Sequence, residues 1–470
     1  MAKYKAYPEY KESGVEWLGE VPLNWHIHSL KRAIDSCTNG VWGGEPDDKH
    51  DLIVLRVADF ERQSFKISDL KLTTRSILPK DRGSRLLKKG DLLIEKSGGG
   101  DKTLVGCVVL FDKEYEAVTS NFVAKMSPRE SYDSHFLTYA FSQLYAGKVN
   151  YPSIKQTTGI QNLDADAYLM EKFCFPPMHE QRNISCFLDH ETAKIDNLIE
   201  KQQQLIELLK EKRQAVISHA VTKGLNPDVP MKDSGIEWLG EIPAHWTIPS
   251  LKYNISTRKG VAFKSSDFCD AGIRVVKASD IKKKTIISSD VFLPVCFSKE
   301  YPKAVLNFGD IVLSTVGSTP DVKNSAVGQL GYVPAELEGS LLNQNTVVFS
   351  SNSNMLEQFY LFLLLQTDIY RDHLDLHAHG TANQASLNVS DMLDFKYPCP
   401  SLSEQIEIVD YIQNCNSKFD VLETCSEEAI KYLQERRTAL ISAAVTGKID
   451  VRDWVAPDSQ DVEEPEEATA

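Results

Sequence analysis

Hydrophobic residues follow two different periods along the chain. Short apolar runs, such as 53–57 and 347–349, are punctuated by Gly, Asn, Asp and Ser, which is typical of β-strands. Stretches with helical spacing, such as 135–145, lie between them. This mixture predicts an α+β fold with a twisted sheet over about residues 20–175, and again over about 240–398.

Each of these segments is followed by a long helical one. Apolar residues there recur at steps of three, four and seven, which predicts a heptad-like seam, with Gln202 as a polar position inside the first. Proline-rich segments precede both helices, and Gly224 and Gly447 lie where the helices should end. The seam positions are Ile184, Leu188, Ile195, Leu198, Leu205, Leu209 and Val216 in the first helix, and Ile408, Ile412, Phe419, Leu422, Ala429, Leu433 and Leu440 in the second.

Each helix has about 40 residues and so spans roughly 60 Å. Two such seams in one chain are expected to pack against each other. Antiparallel packing would place the two α+β domains at opposite ends. The alternative is that each helix packs only on its own domain.

The chain is a tandem repeat. Residues 13–22 recur as 234–243, Trp25 matches Trp246, and the Glu-Gln pair 180–181 matches 404–405. The offset between the copies stays nearly constant from motif to motif, so one domain-sized unit has been duplicated, and its period is too long for a solenoid. The borders of the two copies match while their middles share only a skeleton, which indicates one scaffold that carries two different binding surfaces. The repeated tryptophans, which include Trp17 and Trp238, are expected to pack the domain rather than stack on bases.

The repeat and the alternation of α+β and long-helical patterns predict five segments. They are a first domain (1–178), a first long helix (179–225), a second domain (226–400), a second long helix (401–450) and an acidic tail (451–470).

The net charge of −14 weighs against DNA binding, because phosphate contacts need Lys and Arg. Residues 453–470, however, carry seven acids and no base, and a local basic patch binds DNA on an acidic protein too. Nine scattered cysteines without a CxxC pair indicate free thiols. Neither a membrane span nor an apolar leader is found, so we expect a cytoplasmic protein.

Several motifs together resemble a known family. Trp-Leu-Gly-Glu-Val-Pro followed by a nearby Trp, a Gly-Asp-Leu/Ile turn, a Pro-Pro…Glu-Gln start of a long helix and an Ala-Val-Thr end occur in order, with close variants in the second copy. The chain thereby resembles the specificity subunits of type I restriction–modification systems over about residues 10–450.

The resemblance implies two target-recognition domains, separated by two long helices that form an antiparallel coiled-coil spacer. It implies that the chain reads a bipartite double-stranded DNA target. The implied partners are two adenine-N6 methyltransferase subunits and, for cleavage, a restriction endonuclease/translocase subunit. The chain itself is expected to be no enzyme and to need no cofactor or metal, and it lacks an Asn/Asp-Pro-Pro-Tyr/Phe methyltransferase motif.

The segment 97–103 is the nearest match to a nucleotide-binding loop, but Asp101 separates the glycines from Lys102, and Glu95 would repel phosphate. A flexible loop that approaches DNA closely is favoured. The matching loop is 314–319, with Lys323 beyond it.

Two alternatives to a DNA-recognition function stay open at this point. His373, His377 and His379 have a spacing that zinc could use, and with Asp372 or Asp375 they would make a stand-alone metal-dependent hydrolase. The segment lacks HExxH, and Gly380 interrupts the local helix. The other alternative is an assembly scaffold that does not bind DNA.

The loops 379–384 and 155–161 have the right chemistry for base edges, since Asn and Gln pair with adenine and Lys with guanine. Together with the two glycine-containing loops they give the predicted DNA-binding residues, which are Lys102, Lys155, Gln156, Thr158, Lys323, His379, Thr381, Asn383 and Gln384.

Overall fold

The computed structural model describes residues 4–99, 103–157, 159–282, 284–287, 290–317, 327–352, 354–381 and 384–456. The chain divides into two units, of which unit 1 comprises Met1–Gln203 and Glu427–Ala470, and unit 2 comprises Gln204–Ser426. Each unit combines short strands with helices, which confirms the mixed helix-and-sheet class predicted from the sequence.

The strands of unit 1 are short, and most of them connect through turns that contain Gly, Asn or Asp. They are β1 (Tyr10–Glu12), β2 (Glu20–Pro22), β3 (His26–Ser29), β4 (Ile34–Asn39), β5 (Asp51–Leu55), β6 (Phe60–Glu61), β7 (Lys66–Ile67), β8 (Thr73–Ser76), β9 (Leu92–Glu95), β10 (Ser97–Gly98), β11 (Val108–Leu110), β12 (Ala117–Thr119), β13 (Val123–Pro128), β14 (Ile154–Thr157), β15 (Ile160–Leu163) and β16 (Lys172–Phe175). The α-helices that begin in unit 1 before β17 are α1 (Pro79–Arg82), α2 (Ser134–Ala146), α3 (Ala165–Leu169) and α4 (Met178–Lys223).

The central sheet of unit 1 has the strand order β11-β9-β13-β4 and is antiparallel throughout. Its strands β9 and β13 are buried along almost their whole length, because residues of α2 pack on one face and residues of a second sheet, β12-β5-β8, pack on the other. A third sheet, β10-β15-β14, continues directly from the end of β9. It carries the segment that the sequence singles out as a DNA-facing loop.

Unit 2 repeats this plan. Its strands are β17 (Met231–Asp233), β18 (Glu241–Pro243), β19 (Ile255–Lys259), β20 (Ile273–Val276), β21 (Ile281–Lys282), β22 (Thr285–Ile286), β23 (Phe292–Leu293), β24 (Ile311–Ser314), β25 (Val316–Gly317), β26 (Leu330–Tyr332), β27 (Leu341–Leu342), β28 (Thr346–Ser351), β29 (His379–Thr381) and β30 (Gln384–Ser386). The helices that begin in unit 2 are α5 (Phe297–Glu300), α6 (Gln358–Leu365), α7 (Asp368–His377), α8 (Val389–Leu393) and α9 (Leu402–Val445).

The strand order β26-β24-β28-β19 in unit 2 matches β11-β9-β13-β4 in unit 1, and β25-β30-β29 matches β10-β15-β14. The duplication seen in the sequence is therefore a duplication of topology. It reaches into the middle segments, where the amino-acid sequences share little.

The two long helices are α4 and α9. The sequence predicts 179–225 for the first and 401–450 for the second. Gly224 (φ 79°) and Gly447 (φ 72°) follow the helix ends in the left-handed region, where a glycine ends a helix without a Cβ penalty. Each helix contributes one part to unit 1 and one part to unit 2.

Within unit 1, the start of α4 and the end of α9 lie beside each other and run in opposite directions. Glu180 and Gly447 both contact Trp25, and further along the pair Arg437 Nε donates to Asp196 Oδ1 at 2.9 Å. Arg437 is buried, and its guanidinium also lies 5.7 Å from the ring of Phe65.

Within unit 2, the end of α4 and the start of α9 make the equivalent pair. Gly224 and Glu404 both contact Trp246, and Arg213 Nη2 lies 2.6 Å from Asp420 Oδ1 and 3.7 Å from Glu423 Oε2. The two Arg–Asp pairs occupy equivalent repeat positions, since the offset from Arg213 to Arg437 equals the offset from Asp196 to Asp420.

Burial along the predicted heptad seam is uneven. Ile184, Leu188 and Ile408 are buried, but Leu198, Leu205 and Leu422 are 47%, 40% and 48% exposed. The physical reason is that two helices cover only a narrow face of each other, while the α+β parts cover the outer turns. No helix in the described part of the chain is long and apolar enough to cross a bilayer.

Candidate nucleic-acid interface

Unit 1 is held to its helix by a buried carboxylate. Glu180 is fully buried and accepts hydrogen bonds from Trp25 Nε1 (3.1 Å), from the Tyr7 hydroxyl and from Asn24 Nδ2 (3.4 Å). Burial and the neighbouring Glu180 carboxylate raise the pKa of Tyr7 far above its usual value, so this hydroxyl stays a donor. Trp25 is fully buried too, and its indole thereby fixes where the helix leaves the domain.

Unit 2 has the same glutamate–tryptophan hydrogen bond, with different neighbours around the carboxylate. Glu404 accepts from Trp246 Nε1 at 3.0 Å, and its other carboxylate oxygen lies 3.0 Å from His245 Nε2. Trp246 is fully buried, whereas the His245 side chain is 51% exposed. The carboxylate in unit 2 therefore has one buried donor where that in unit 1 has two.

The glutamines that follow these glutamates position a second helix. Gln181 Oε1 accepts the backbone N–H of Asp133 (2.9 Å), and Gln405 Oε1 accepts that of Glu357 (2.8 Å). Asp133 and Glu357 are the N-cap residues of α2 and α6. The sequence marks the Glu-Gln pair as a repeated motif without giving it a role; the structure shows that it joins the long helix to Trp25 and α2, or to their counterparts.

The tryptophans pack the domains, as predicted. Trp25 and Trp246 are fully buried. Trp17 stacks on Phe173 with 6.0 Å between ring centroids, and Trp238 stacks on Phe395 at 5.2 Å, although both indoles keep one side exposed.

The first predicted DNA-facing segment is a β-hairpin. Lys155 and Gln156 lie in β14, which pairs with β15 through Gln156↔Gln161, and both side chains are exposed. Lys155 Nζ lies 3.0 Å from Asp164 Oδ2. The pKa of Asp164 is lowered by the backbone N–H of Ala167 and then by Lys155.

The second segment is also a hairpin, in which His379 and Thr381 belong to β29 and Gln384 to β30. His379 is exposed. The prediction of open loops is therefore wrong for both segments, because cross-strand hydrogen bonds that the local sequence does not reveal order them as strands. Lys102, Thr158, Lys323 and Asn383 lie outside the described residues.

The glycine-containing segment 97–99 joins the same sheet as the first hairpin. Ser97 pairs with Asn162, and Gly98 pairs with Gln161. Gly98 and Gly99 have φ values of 141° and 67°, which only glycine adopts readily. Glu95 is not available to repel a phosphate, because it is fully buried in a bidentate pair with Arg62 (2.7 and 2.8 Å).

Two of the three histidines of the alternative metal site each place one ring nitrogen against a backbone carbonyl. His373 Nε2 lies 2.8 Å from the carbonyl of Asp391, and His377 Nδ1 lies 2.7 Å from the carbonyl of His373. Burial lowers the pKa of His373. No group of three or more possible metal ligands is found among the described residues, so a metal-dependent hydrolase is not favoured.

Comparisons with known proteins find the family that the motifs resemble. The family model for the type I restriction modification DNA specificity domain matches residues 253–431. The MjaVIII specificity subunit of Methanocaldococcus jannaschii, a type I restriction enzyme subunit, is 27% identical over 315 residues, which are 67% of this chain and 70% of the relative. The EcoKI specificity subunit of Escherichia coli is 20% identical over 409 residues, or 86% and 84% of the two chains.

Among solved structures, a chain from a study of complex assembly and conformational transition in the type I R-M system shares the fold, with a TM-score of 0.67 and 15% identity over 91% of this chain and 99% of that one. The resemblance drawn from the motifs is confirmed: residues 253–431 match the type I DNA specificity domain, and the chain is similar to type I restriction enzyme specificity subunits.

Proposed function

We propose that the chain is the DNA-recognition subunit of a type I restriction–modification enzyme in the cytoplasm. It binds double-stranded DNA at two half-sites and leaves methylation and cleavage to other subunits. The observation that carries the proposal is the repeated framework, in which a buried Trp–Glu pair closes each α+β domain onto a long helix. Two copies of one frame with different exposed surfaces suit two different half-sites.

The segments 1–178 and 226–400 act as target-recognition domains, and the long helices act as an antiparallel coiled-coil spacer between them, with 451–470 as an acidic tail. The equivalent pairs Arg437–Asp196 and Arg213–Asp420 support a matched register of the two helices in each unit. A spacer of this kind would make the distance between half-sites a property of helix length.

The two hairpins, β14–β15 and β29–β30, make DNA contacts in this proposal. Amide and lysine side chains bind base edges or phosphates from such positions, and the exposure of Lys155, Gln156 and His379 supports their part in it. The complete proposed set is Lys102, Lys155, Gln156, Thr158, Lys323, His379, Thr381, Asn383 and Gln384.

The partners are two adenine-N6 methyltransferase subunits and the endonuclease/translocase subunits. Large apolar side chains stand exposed on the long helices, among them Leu208 (60%), Val421 (61%) and Tyr432 (66%). Large apolar residues that are exposed along these helices support protein docking, and partner subunits would also supply phosphate contacts that an acidic chain lacks.

The test is co-expression with the methyltransferase subunit from the same locus in a host that lacks adenine methylation. We expect a complex with two methyltransferase subunits per chain by native mass spectrometry, and one bipartite methylated motif by single-molecule sequencing. The methyltransferase subunit alone is the control and should give no motif. A stable, active complex that methylates without sequence preference would contradict the proposal, as would the failure of the two proteins to associate.

A further inference from the structure

Strand register defines equivalent positions in the two units, even where their sequences differ. In unit 1, Val123 pairs with Glu95, and in unit 2, Thr346 pairs with Ser314. The residue that follows β9 in unit 1 is therefore Lys96, and the residue that follows the equivalent strand β24 in unit 2 is Thr315. The hydrogen bonds agree with this assignment, because the N–H of Lys96 donates to Phe122 O (2.8 Å) and that of Thr315 donates to Asn345 O (2.8 Å).

In unit 1 these positions form a continuous surface at the end of the central sheet. Lys96 Nζ donates to Asn39 Oδ1 at 2.7 Å. The carbonyl of Phe122 accepts the N–H groups of both Lys96 and Ser97, so the backbone that carries this aromatic side chain is fixed from two sides. Ser97 Oγ lies 2.6 Å from Asn162 Oδ1, which links the surface to the hairpin of Lys155 and Gln156.

Phe122 is unusual on this surface, because 57% of a large apolar side chain is exposed among amide, hydroxyl and ammonium groups. An aromatic ring held by a fixed backbone next to hydrogen-bonding side chains is what a protein needs to touch thymine methyl groups or to wedge between base steps. The neighbouring Lys96 has the geometry to donate to a guanine edge once its bond to Asn39 is exchanged.

Unit 2 has different chemistry at the same positions. The register places Lys259 where unit 1 has Asn39, Thr315 at Lys96, Asn345 at Phe122 and Ser386 at Asn162. Three of these pairs are exposed in both units, and the Lys96/Thr315 pair is half-buried in both. All four change between the units in charge, hydrogen-bonding capacity or size.

At two buried positions of the sheet close to them, both units have apolar residues. Ile94 and Leu313 are both fully buried, as are Ala124 and Val347. Gly40 and Gly260 also coincide, and a Cβ at either would lie within about 2.1 Å of a backbone oxygen, of Thr119 or of Asn343. The sheet thus stays the same while the side chains at its end change, as expected of a scaffold that presents two different specificities.

We infer that this sheet-end surface reads bases in each unit, with Asn39, Lys96, Phe122 and Asn162 assigned to the first half-site and Lys259, Thr315, Asn345 and Ser386 to the second. The inference rests on the proposed function and adds specificity-determining positions to the hairpins. It also explains how a chain with a net charge of −14 recognises DNA, because base edges demand matched donors and apolar contacts rather than excess positive charge.

The test uses the full complex with its methyltransferase partner. The motif that the wild-type complex methylates in host DNA is mapped first, and a duplex with that motif becomes the binding probe. Phe122→Ala and Lys96→Thr, the latter installing the residue of unit 2, should each weaken probe binding about 5- to 150-fold and relax one position of one half-site. Thr315→Lys should alter only the other half-site.

Leu70→Ala is the matched control, since Leu70 lies in unit 1 and is 89% exposed, and it should leave motif and affinity unchanged. Phe122→Tyr keeps the ring and should keep most of the affinity, which separates loss of contact from loss of folding. If the wild-type complex has no motif, the proposed function fails. If it has one and Phe122→Ala, Lys96→Thr and Thr315→Lys all preserve it with unchanged affinity, only this inference is wrong. A Phe122→Ala variant that binds the methyltransferase subunit more weakly but methylates the unchanged motif would assign the surface to the partner instead, and would also overturn it.

Discussion

Replacing the glutamates Glu180 and Glu404 should lower the stability of the two units by different amounts. Glu180→Ala removes the acceptor of two buried donors, Trp25 Nε1 and the Tyr7 hydroxyl. Each buried donor left without a partner costs about 1–3 kcal/mol, so unit 1 should lose about 2–6 kcal/mol. Glu404→Ala leaves one buried donor, Trp246 Nε1, because the half-exposed His245 turns to water, and unit 2 should lose about 1–3 kcal/mol.

Hydrogen exchange followed by mass spectrometry measures this difference on the full chain, peptide by peptide. A loss of about 1.4 kcal/mol accelerates exchange about tenfold when exchange follows the opening equilibrium. Peptides that contain Trp25 should therefore exchange about 30-fold faster or more in Glu180→Ala, and peptides that contain Trp246 should respond only to Glu404→Ala. Glu180→Gln is the matched control, with an intermediate effect, because the amide oxygen still accepts one hydrogen bond.

Equal acceleration around Trp25 and Trp246 in both alanine variants would refute the reasoning. So would a Glu180→Ala variant that is less affected around Trp25 than Glu404→Ala is around Trp246. Either result would mean that the carboxylate does not carry the connection between helix and domain.

The other predictions concern the helix pair and pH. Arg437→Met should destabilise unit 1 by about 1–3 kcal/mol, because Arg437 is buried against Asp196. Arg213→Met should destabilise unit 2 by less than about 1 kcal/mol, because its partner Asp420 is 65% exposed. Urea titration of both variants checks this order. The pKa of His135 is raised by its hydrogen bond to Asp189. This pair therefore stabilises unit 1 fully below the unfolded pKa of about 6.5, and the stabilisation is lost as pH rises through the folded pKa. In urea titrations between pH 5 and 8, His135→Gln should make the stability of unit 1 less dependent on pH, by about 0.5 kcal/mol or less. Seven residues inserted between Ile195 and Leu209 keep the heptad seam and add roughly 10 Å of helix. The methylated motif should then gain about one to three spacer base pairs while both half-sites stay the same. An unchanged spacer would show that helix length does not set the distance between the half-sites.

Local sequence determines the ends of the long helices well. Proline before each helix and glycine after it act over a short stretch of chain; α4 spans Met178–Lys223 and α9 spans Leu402–Val445. The burial of Trp25 and Trp246 was also predictable, because both tryptophans recur in the matching border segments of the two copies.

Non-local pairing explains what the sequence did not reveal. Residues 155–161 lack the apolar alternation of strands, yet β14 and β15 pair there as a hairpin, and β15 also pairs with β10, which lies much earlier in the chain. Lys96, Phe122 and Asn39 come from three distant segments, so no local motif could group them. The uneven burial along the seam has a similar cause, since heptad spacing does not reveal which turns a neighbouring domain covers.

The segment after α9 completes the unit that contains the N-terminal strands. Asp450 N donates to Lys5 O at 2.7 Å, Lys448 Nζ donates to Glu20 O at 2.6 Å, and the Trp454 ring lies 5.6 Å from that of Phe187. In unit 2, Lys223 Nζ makes the corresponding contact with Glu241 O, and there continuous chain joins α4 to the strand that carries Glu241. The duplicated frame therefore has the same closure in both units, by continuous chain in one and by non-covalent contacts in the other. Because non-covalent contacts rather than a peptide bond hold the N-terminal segment against the end of α9, unit 1 needs contacts that unit 2 obtains from connectivity. This requirement gives a physical reason why Glu180 has the additional buried donor Tyr7 from the N-terminal segment, and Glu404 does not need one.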